Sequence, residues 1–460
     1  MGKQWSVAEY NANNAWLYNG NNGNVNNNNK YNSNSVRPVL ESYRVTDNLS
    51  DVYIPLSEWY RIYRICKRNC SSKTLHLIFR SDFARNIIDV CHDVNKMEYV
   101  PRQGICFTIE KPRLRECIAP VFDDKIVQTW YCETLMPILE RKYLHDDSFA
   151  CRRGKGGLRA VLKLQEYIYD ESFGYTRDLW LAKIDFQGFF MSIDTLAATN
   201  DLSDFIIANV DDGELRNWML WLTRIIYLSQ PQCHCRMQSP MWLEYQLPEH
   251  KRMLGNVGYR GVAIGNRTSQ MLALFRTTFF LMLLVGMGYK FALYTDDCCI
   301  PVSDKDKWLA DRRRLAEMVK CKGLTLHPDK VYLQHYSKGV EMLGVKIRFN
   351  RLLPSDRITH NFRWKLEIAT RRAAMSRQWK LANTEHTMQT VNSYLGLLRW
   401  FNAYRLRRDI LETFKNGAYG DFFDFANDYT KITIKTPYKR NMRFIRQNFK
   451  RKHNLKLWLN

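Results

Sequence analysis

Two adjacent acids, Asp296 and Asp297, stand inside an otherwise apolar run. Phe291, Ala292 and Leu293 precede Tyr294-Thr295, and Cys298, Cys299 and Ile300 follow. The run from Tyr289 to Val302 reads as two short strands joined by a tight turn at Thr295-Asp296-Asp297. Burying two like charges there is unfavourable, because each ion loses its hydration and repels the other. Either the pair caps a hairpin as a solvated turn, or a cation sits on it. Two magnesium ions suit the second case, since hard oxygen ligands hold Mg2+ and phosphoryl-transfer sites use paired ions. A third acid fits the same scheme. Asp185 ends the apolar strand Leu181-Ala182-Lys183-Ile184 and is followed by Phe186-Gln187-Gly188-Phe189-Phe190. Two ions roughly 3.5–4 Å apart need carboxylates from more than one strand, and Asp185 with Asp296 would supply them.

The chain around these acids is strongly basic. Lys and Arg number 69 against 46 Asp and Glu, a net charge of +23 in 460 residues. From Arg351 to Asn460 there are 23 basic and 8 acidic residues, so a quarter of the chain carries about +15. A solvated surface is one reading, but so one-sided an excess favours a polyanionic partner. Twelve cysteines form no CxxC pair and no disulfide-scaffold pattern, and no secretory signal is seen, so the reduced cytoplasm is expected. Cys233, His234 and Cys235 lie close together but lack a second ligand pair at zinc spacing, so no metal site is expected there. The apolar stretch Met271 to Gly288 is interrupted by Arg276 and reads as a buried core helix, not a membrane span. Met1 to Ser6 formally fits a myristoylation pattern that nothing else supports.

Local patterning gives helices, then a strand-rich centre, then a helical basic end. Helices are expected at Pro55–Arg68, Ser81–Asp93, Phe122–Tyr143, Thr268–Leu284, Arg312–Cys321, Arg363–Lys380 and Thr387–Ala403. Strands are expected at Gly104–Glu110, Leu181–Asp185 and within Val340–Phe349. Residues 1–40 stand apart: 13 of the 24 residues from Asn11 to Asn34 are asparagine. Asparagine competes for backbone hydrogen bonds, so a loosely packed tail with no stable helix or long strand is expected.

Five ordered blocks resemble those of reverse transcriptases. Leu181 to Asp194 (LAKIDFQGFFMSID) is similar to the first aspartate block and Gly261 to Gln270 (GVAIGNRTSQ) to the template-and-nucleotide block. Tyr289 to Ile300 (YKFALYTDDCCI) is similar to the YxDD block, and Leu324 to Val331 (LTLHPDKV) and Glu341 to Ile347 (EMLGVKI) to the two that follow. The resemblance implies an α+β right-hand polymerase: fingers and palm over 41–350 and a basic helical thumb over 351–460. It implies an RNA-directed DNA polymerase acting on template RNA and the RNA/cDNA duplex, with dNTPs as substrates and no membrane. Two Mg2+ ions, with Mn2+ able to substitute, would be held by Asp185, Phe186 (through its carbonyl), Asp296 and Asp297. One would activate the primer 3′-hydroxyl and the other would hold the triphosphate. Phe190 matches the gate that excludes a ribose 2′-hydroxyl. Lys111, Arg113 and above all Arg115 match the basic finger block at the triphosphate, where a guanidinium fork pairs with phosphate oxygens. Ile264, Gly265, Gln270 and Tyr294 would line the nucleotide. Lys330 matches the lysine that protonates the leaving pyrophosphate, though a plain surface lysine fits as well. Arg152, Arg153, Lys155, Ser269, Gly344, Arg371 and Arg372 would contact nucleic acid, with Glu341 to Ile347 as the primer grip. Arg363, Lys365, Arg405, Arg407 and Arg408 would join the thumb's clamp on the duplex.

One departure narrows the resemblance. Many relatives carry QGxxxSP in the second block, whereas this chain reads Ile264-Gly265-Asn266-Arg267-Thr268-Ser269-Gln270. This IGxxxSQ form, with Ser148 to Arg159 (SFACRRGKGGLR), resembles the enzymes of diversity-generating retroelements. Isoleucine in place of glutamine removes a polar contact beside the templating base, a physical route to misincorporation, and the resemblance implies errors opposite template adenines. It also implies a small basic oligomeric accessory protein. Asparagine codons are adenine-rich, so Trp5 to Val39 reads as the translated end of an overlapping template repeat, with an ordinary polar tail as the alternative. Competing readings are another bacterial reverse transcriptase (defence-associated, retron or group II intron type) and a non-catalytic RNA-binding polymerase scaffold.

Overall fold

The computed structural model describes the backbone of residues 5–9, 14–19 and 25–29, and residues 54–68, 70, 74–110, 113–255, 258–328 and 332–438 in full. Three short N-terminal strands, β1 (Trp5–Glu9), β2 (Asn14–Asn19) and β3 (Val25–Asn29), pair antiparallel in that order. These strands lie within the stretch where a loosely packed tail is expected, and the rest of residues 1–40 lies outside the described residues. Trp5, Val7, Trp16, Leu17, Tyr18 and Val25 are β-favouring residues spaced among the asparagines. Four consecutive asparagines in β3 run against that preference, and nothing in the structure explains them.

The chain forms two compact units that interleave along the sequence. The first comprises Met1–Gly156, Ile184–Cys298 and Asp306–Val331; the second comprises Gly157–Lys183, Cys299–Lys305 and Tyr332–Asn460. In the first, the helix Leu56–Lys67 buries Leu56, Trp59, Ile62, Tyr63 and Cys66, the spacing of one helical face. That face meets the long helix Phe122–Lys142, where Trp59 and Trp130 lie 5.5 Å apart, and the helix Phe83–Asn95, where Tyr63 packs on Phe83 at 4.6 Å. Asp123 and Asp124 occupy the first turn of the long helix, where the helix dipole favours negative charge. The helix Arg267–Gly286 is the one described helix long and apolar enough to cross a membrane, and most of it is buried inside the protein. Its Arg276 is buried, and is met by Asp201 and the Lys322 carbonyl, which is how a core helix tolerates a cation.

A three-stranded sheet also belongs to this unit: β4 (Ile105–Ile109) lies between β5 (Arg115–Ala119), antiparallel, and β7 (Arg236–Met237), parallel. A four-stranded sheet has the order β10 (Tyr332–His335), β6 (Trp180–Ile184), β9 (Asp297–Val302), β8 (Ala292–Tyr294). In the second unit β11 (Val340–Met342), β12 (Val345–Arg348) and β13 (Arg351–Pro354) form an antiparallel meander. Helices Asp356–Met375, Arg377–Leu398 and Tyr404–Lys415 follow, with the hairpin β14 (Phe423–Phe425) and β15 (Ile432–Ile434). The single helix expected over Arg363–Lys380 is two helices, because Ser376 leaves helical geometry and its hydroxyl accepts the Trp379 amide as an N-cap.

Candidate active site

β8 and β9 are joined by only two residues, Thr295 and Asp296. Thr295 has φ +60° while Asp296 keeps a negative φ, the φ signature of a II′ hairpin turn, which normally takes glycine first. A β-branched residue held there carries strain on the order of 1–3 kcal/mol, a cost found where structure over-determines a functional turn. The turn sets Asp296 at the hairpin tip and Asp297 at the start of β9.

Asp185 follows β6 directly. Its carbonyl accepts the His327 amide at 2.8 Å, the Gln187 amide reaches the Thr325 carbonyl at 2.8 Å, and Phe186 bridges Leu326. Two of the sequence blocks are thereby stitched together at the backbone. The Phe186 ring is buried against Phe189 and Phe280, which fixes the loop and leaves Asp185 half-buried beside the hairpin. The three acids lie close enough for the other two to act electrostatically on Asp296. Burial pushes the Asp296 carboxyl up to about 6, and the charges of Asp185 and Asp297 add to the rise. Arg115, at the start of β5, acts in the opposite sense on the same carboxyl. Three mutually repelling carboxylates with an arginine nearby form a hard-oxygen donor set that divalent cations fit.

The segment after Asp185 is tied to the template-and-nucleotide block. The Phe190 carbonyl accepts the Val262 amide at 2.9 Å, and the Ile193 carbonyl accepts the Gly261 amide at 2.8 Å. Gly261 has φ +91°, and a Cβ there would lie 3.4 Å from Met191 Cα and 3.2 Å from Met253 Cγ, so a side chain would be strained as well as crowded. Phe190 is half-buried. Ile264, Gly265 and Gln270 line a cavity of about 960 Å3 together with Phe107, Cys117 and Arg236. Arg115 shares the Cys117 face of β5 by strand alternation, so one wall of this cavity continues toward the acids.

Other expected residues fall elsewhere. The Arg152 side chain turns inward: it is 5% exposed, donates to the His145 and Ser148 carbonyls at 2.7 and 2.9 Å, and pairs with Glu140. It organises the loop before the CRRGKGG glycines. Ser269 is buried and lines a separate cavity of about 50 Å3 with Tyr227 and Pro231, because it faces inward from the helix Arg267–Gly286. Arg407 is buried too, bonding the Leu398 carbonyl that ends the preceding helix. Arg153 is exposed and pairs with Glu133, while Lys155 bonds the Asp146 carbonyl at 2.7 Å. Arg113, Arg363, Lys365, Arg371, Arg372, Arg405 and Arg408 are exposed, and Tyr294 is half-buried at the end of β8. Gly344 lies in the β11–β12 turn. Lys111 and Lys330 lie outside the described residues. Sequence reasoning missed Phe107 and Arg236 as cavity residues. Arg236 sits on a strand of two residues, too short to show alternation.

The sequence matches the family described as "Reverse transcriptase (RNA-dependent DNA polymerase)" over residues 109–347, just over half of the chain. That span holds all three acids and Arg115. No curated protein matches. Among solved structures, apo telomerase from Candida tropicalis, truncated from its C-terminal domain, is similar at 12% identity with a TM-score of 0.39. The similarity covers 55% of each chain, so this chain spans about half the length of that one. The mixed helix-and-sheet architecture accords with the right-hand polymerase class. The chain belongs to the reverse transcriptase family, whose domain is that of an RNA-dependent DNA polymerase, a nucleotidyltransferase.

Proposed function

We propose that this chain copies an RNA template into DNA within a diversity-generating retroelement, by two-metal nucleotidyl transfer, with errors concentrated opposite template adenines. The observation that carries the chemistry is the convergence of Asp185, Asp296 and Asp297, with Arg115 acting on the same carboxyl. Asp185, Asp296, Asp297 and the Phe186 carbonyl would hold two Mg2+ ions, which when bound supply activation of the primer 3′-hydroxyl and neutralisation of the triphosphate. Arg115 orients the triphosphate through paired hydrogen bonds to its oxygens. Phe190 closes the space a ribose 2′-hydroxyl would need, selecting dNTPs. The exposed arginines of the helix Asp356–Met375, Arg363, Arg371 and Arg372, would bind the RNA/cDNA duplex through its phosphates. A small basic oligomeric protein would share the RNA.

Ile264 supports the mutagenic part of the reading. It lines the 960 Å3 cavity and offers no hydrogen bond where many relatives have glutamine. Without that bond, discrimination at the templating base weakens. Sequencing cDNA made on an RNA of known sequence tests this. Misincorporation clustered at template adenines and reduced by Ile264→Gln is expected. An even error spectrum in both proteins would remove the retroelement assignment while leaving the polymerase.

A further inference from the structure

The face of the β5-β4-β7 sheet turned away from the cavity carries a second set of metal-ligating groups. Cys106 and Thr108 on β4 pair across to Ile118 and Glu116 on β5, so these four side chains share one face. The parallel register of β4 with Met237 extends that face to β7, and Cys235, two residues earlier, packs on the same cluster. The short helix Met241–Tyr245 brings in Glu244. Ligand atoms of Cys106, Glu116 and Glu244 all lie within 4.8 Å of one another, and all three residues are at most 1% exposed. The Cys235 thiol donates to the Gln232 carbonyl at 3.8 Å and lies near enough to Cys106 that each raises or lowers the other's acidity.

We propose that Cys106, Glu116 and Glu244, with Cys235 as fourth donor, form a structural site for a thiophilic divalent cation, zinc by its chemistry. Thiolate donors select zinc over Mg2+ or Ca2+, and four donors from two strands, the residue before β7 and a helix suit its tetrahedral preference. The oxygens are already oriented. The two Glu116 oxygens accept the Met253 and Leu254 amides at 2.9 and 3.1 Å, and Thr108 donates to Glu244 Oε2 at 2.9 Å. Among the described residues no donor reaches Glu244 Oε1, although the atom is buried. An unsatisfied carboxylate oxygen beside two thiols in a dry core is costly unless a proton or a cation meets it. Burial and the neighbouring Glu244 hold the Glu116 carboxyl well above the usual carboxylate range. Cation binding would replace the protons: each thiol and any carboxylic acid releases its H+ to solvent as the metal enters.

The site would clip β4, β5, β7 and the Glu244 helix together directly behind Arg115, the neighbour of Glu116. It requires nothing of the polymerase reading. The test uses the full chain carrying Asp296→Ala/Asp297→Ala, dialysed against excess Mg2+, so that ions at the catalytic acids do not count. About one zinc per chain by elemental analysis is expected, with a fall in melting temperature on chelation. Cobalt(II) substitution should give tetrahedral ligand-field bands and a thiolate charge-transfer band. Cys235→Ser should weaken the charge-transfer band, and Glu244→Gln should lower metal affinity by at least about tenfold. If a variant fails to fold, cobalt titration of the otherwise unchanged chain decides alone. No retained zinc, no thiolate band and a melting temperature indifferent to chelator would overturn the proposal and leave Glu116 and Glu244 sharing a proton.

Discussion

Thr295 holds a backbone conformation that suits glycine, and it does so at the tip that presents Asp296. Thr295→Gly should therefore relieve strain and raise stability by about 1 kcal/mol, while loosening the carboxylate and lowering the turnover rate. Denaturant unfolding and steady-state kinetics read the two effects separately; equal stability would mean the turn is unstrained. Arg152 makes the opposite case. Its loss leaves the His145 and Ser148 carbonyls and Glu140 without their cation, so Arg152→Ala should cost roughly 2–4 kcal/mol. Nucleic-acid affinity of the folded fraction should stay within about twofold; a large affinity loss at unchanged stability would restore a template role. Asp124 gives a pH signature. It is buried, accepts the Tyr99 hydroxyl and the Arg102 amide, and burial pushes its carboxyl up to about 7. The folded state thus binds a proton that the unfolded state releases near pH 4, so this group's contribution declines as pH rises from about 4 to 7. Asp124→Asn should flatten that decline in thermal melts; an unchanged slope would assign it to other groups.

At the scale of elements, what could be read in advance depended on how much each element announced itself. The YTDD hairpin, the strand before Asp185 and the long helices Phe122–Lys142 and Arg267–Gly286 carry apolar runs, and each appears within a few residues of its expected bounds. The helices Thr195–Asn209 and Gly213–Leu228 were not anticipated, although Asp194 and Asp212 cap them with side-chain bonds to the Ala197 and to the Glu214 and Leu215 amides. Their cap residues were in the sequence, but a lone aspartate is also a turn signal. β7 was illegible because two residues have no period, and with it went Arg236 and the face holding Cys235. The turn Leu343-Gly344 has positive φ at both residues, +53° and +83°, the I′ geometry that sets the β11–β12 register. A Cβ on Gly344 would come within 2.7 Å of Ile358 Cδ1. Gly344→Ala should cost about 1–3 kcal/mol and weaken primer-template extension more than single-nucleotide binding. A variant matching the parent in both melting and extension would show that the turn has no such part.

For the molecule as a whole, charge was legible from composition but its use was not. The +15 excess of residues 351–460 is partly spent internally, since Arg407 ties a helix end, while Arg363, Arg371, Arg372, Arg405 and Arg408 stay exposed. Burial separates the two groups, and single residues in a basic sequence do not reveal it. The exposed group predicts duplex affinity falling at least about tenfold between ~50 and ~200 mM salt, measured by fluorescence anisotropy; a flat salt response would remove phosphate contacts from the binding account. The acids are the better-determined half, because three carboxylates brought together from separate blocks leave few chemistries open. Incorporation of dNTPs by the purified chain on a primed RNA template with Mg2+, beside Asp296→Ala/Asp297→Ala, tests that centre most directly. Synthesis by the parent and none by the variant is predicted. Equal incorporation by both, or none by the parent even with a cognate RNA and the proposed accessory protein, would contradict a polymerase centred on Asp185, Asp296 and Asp297.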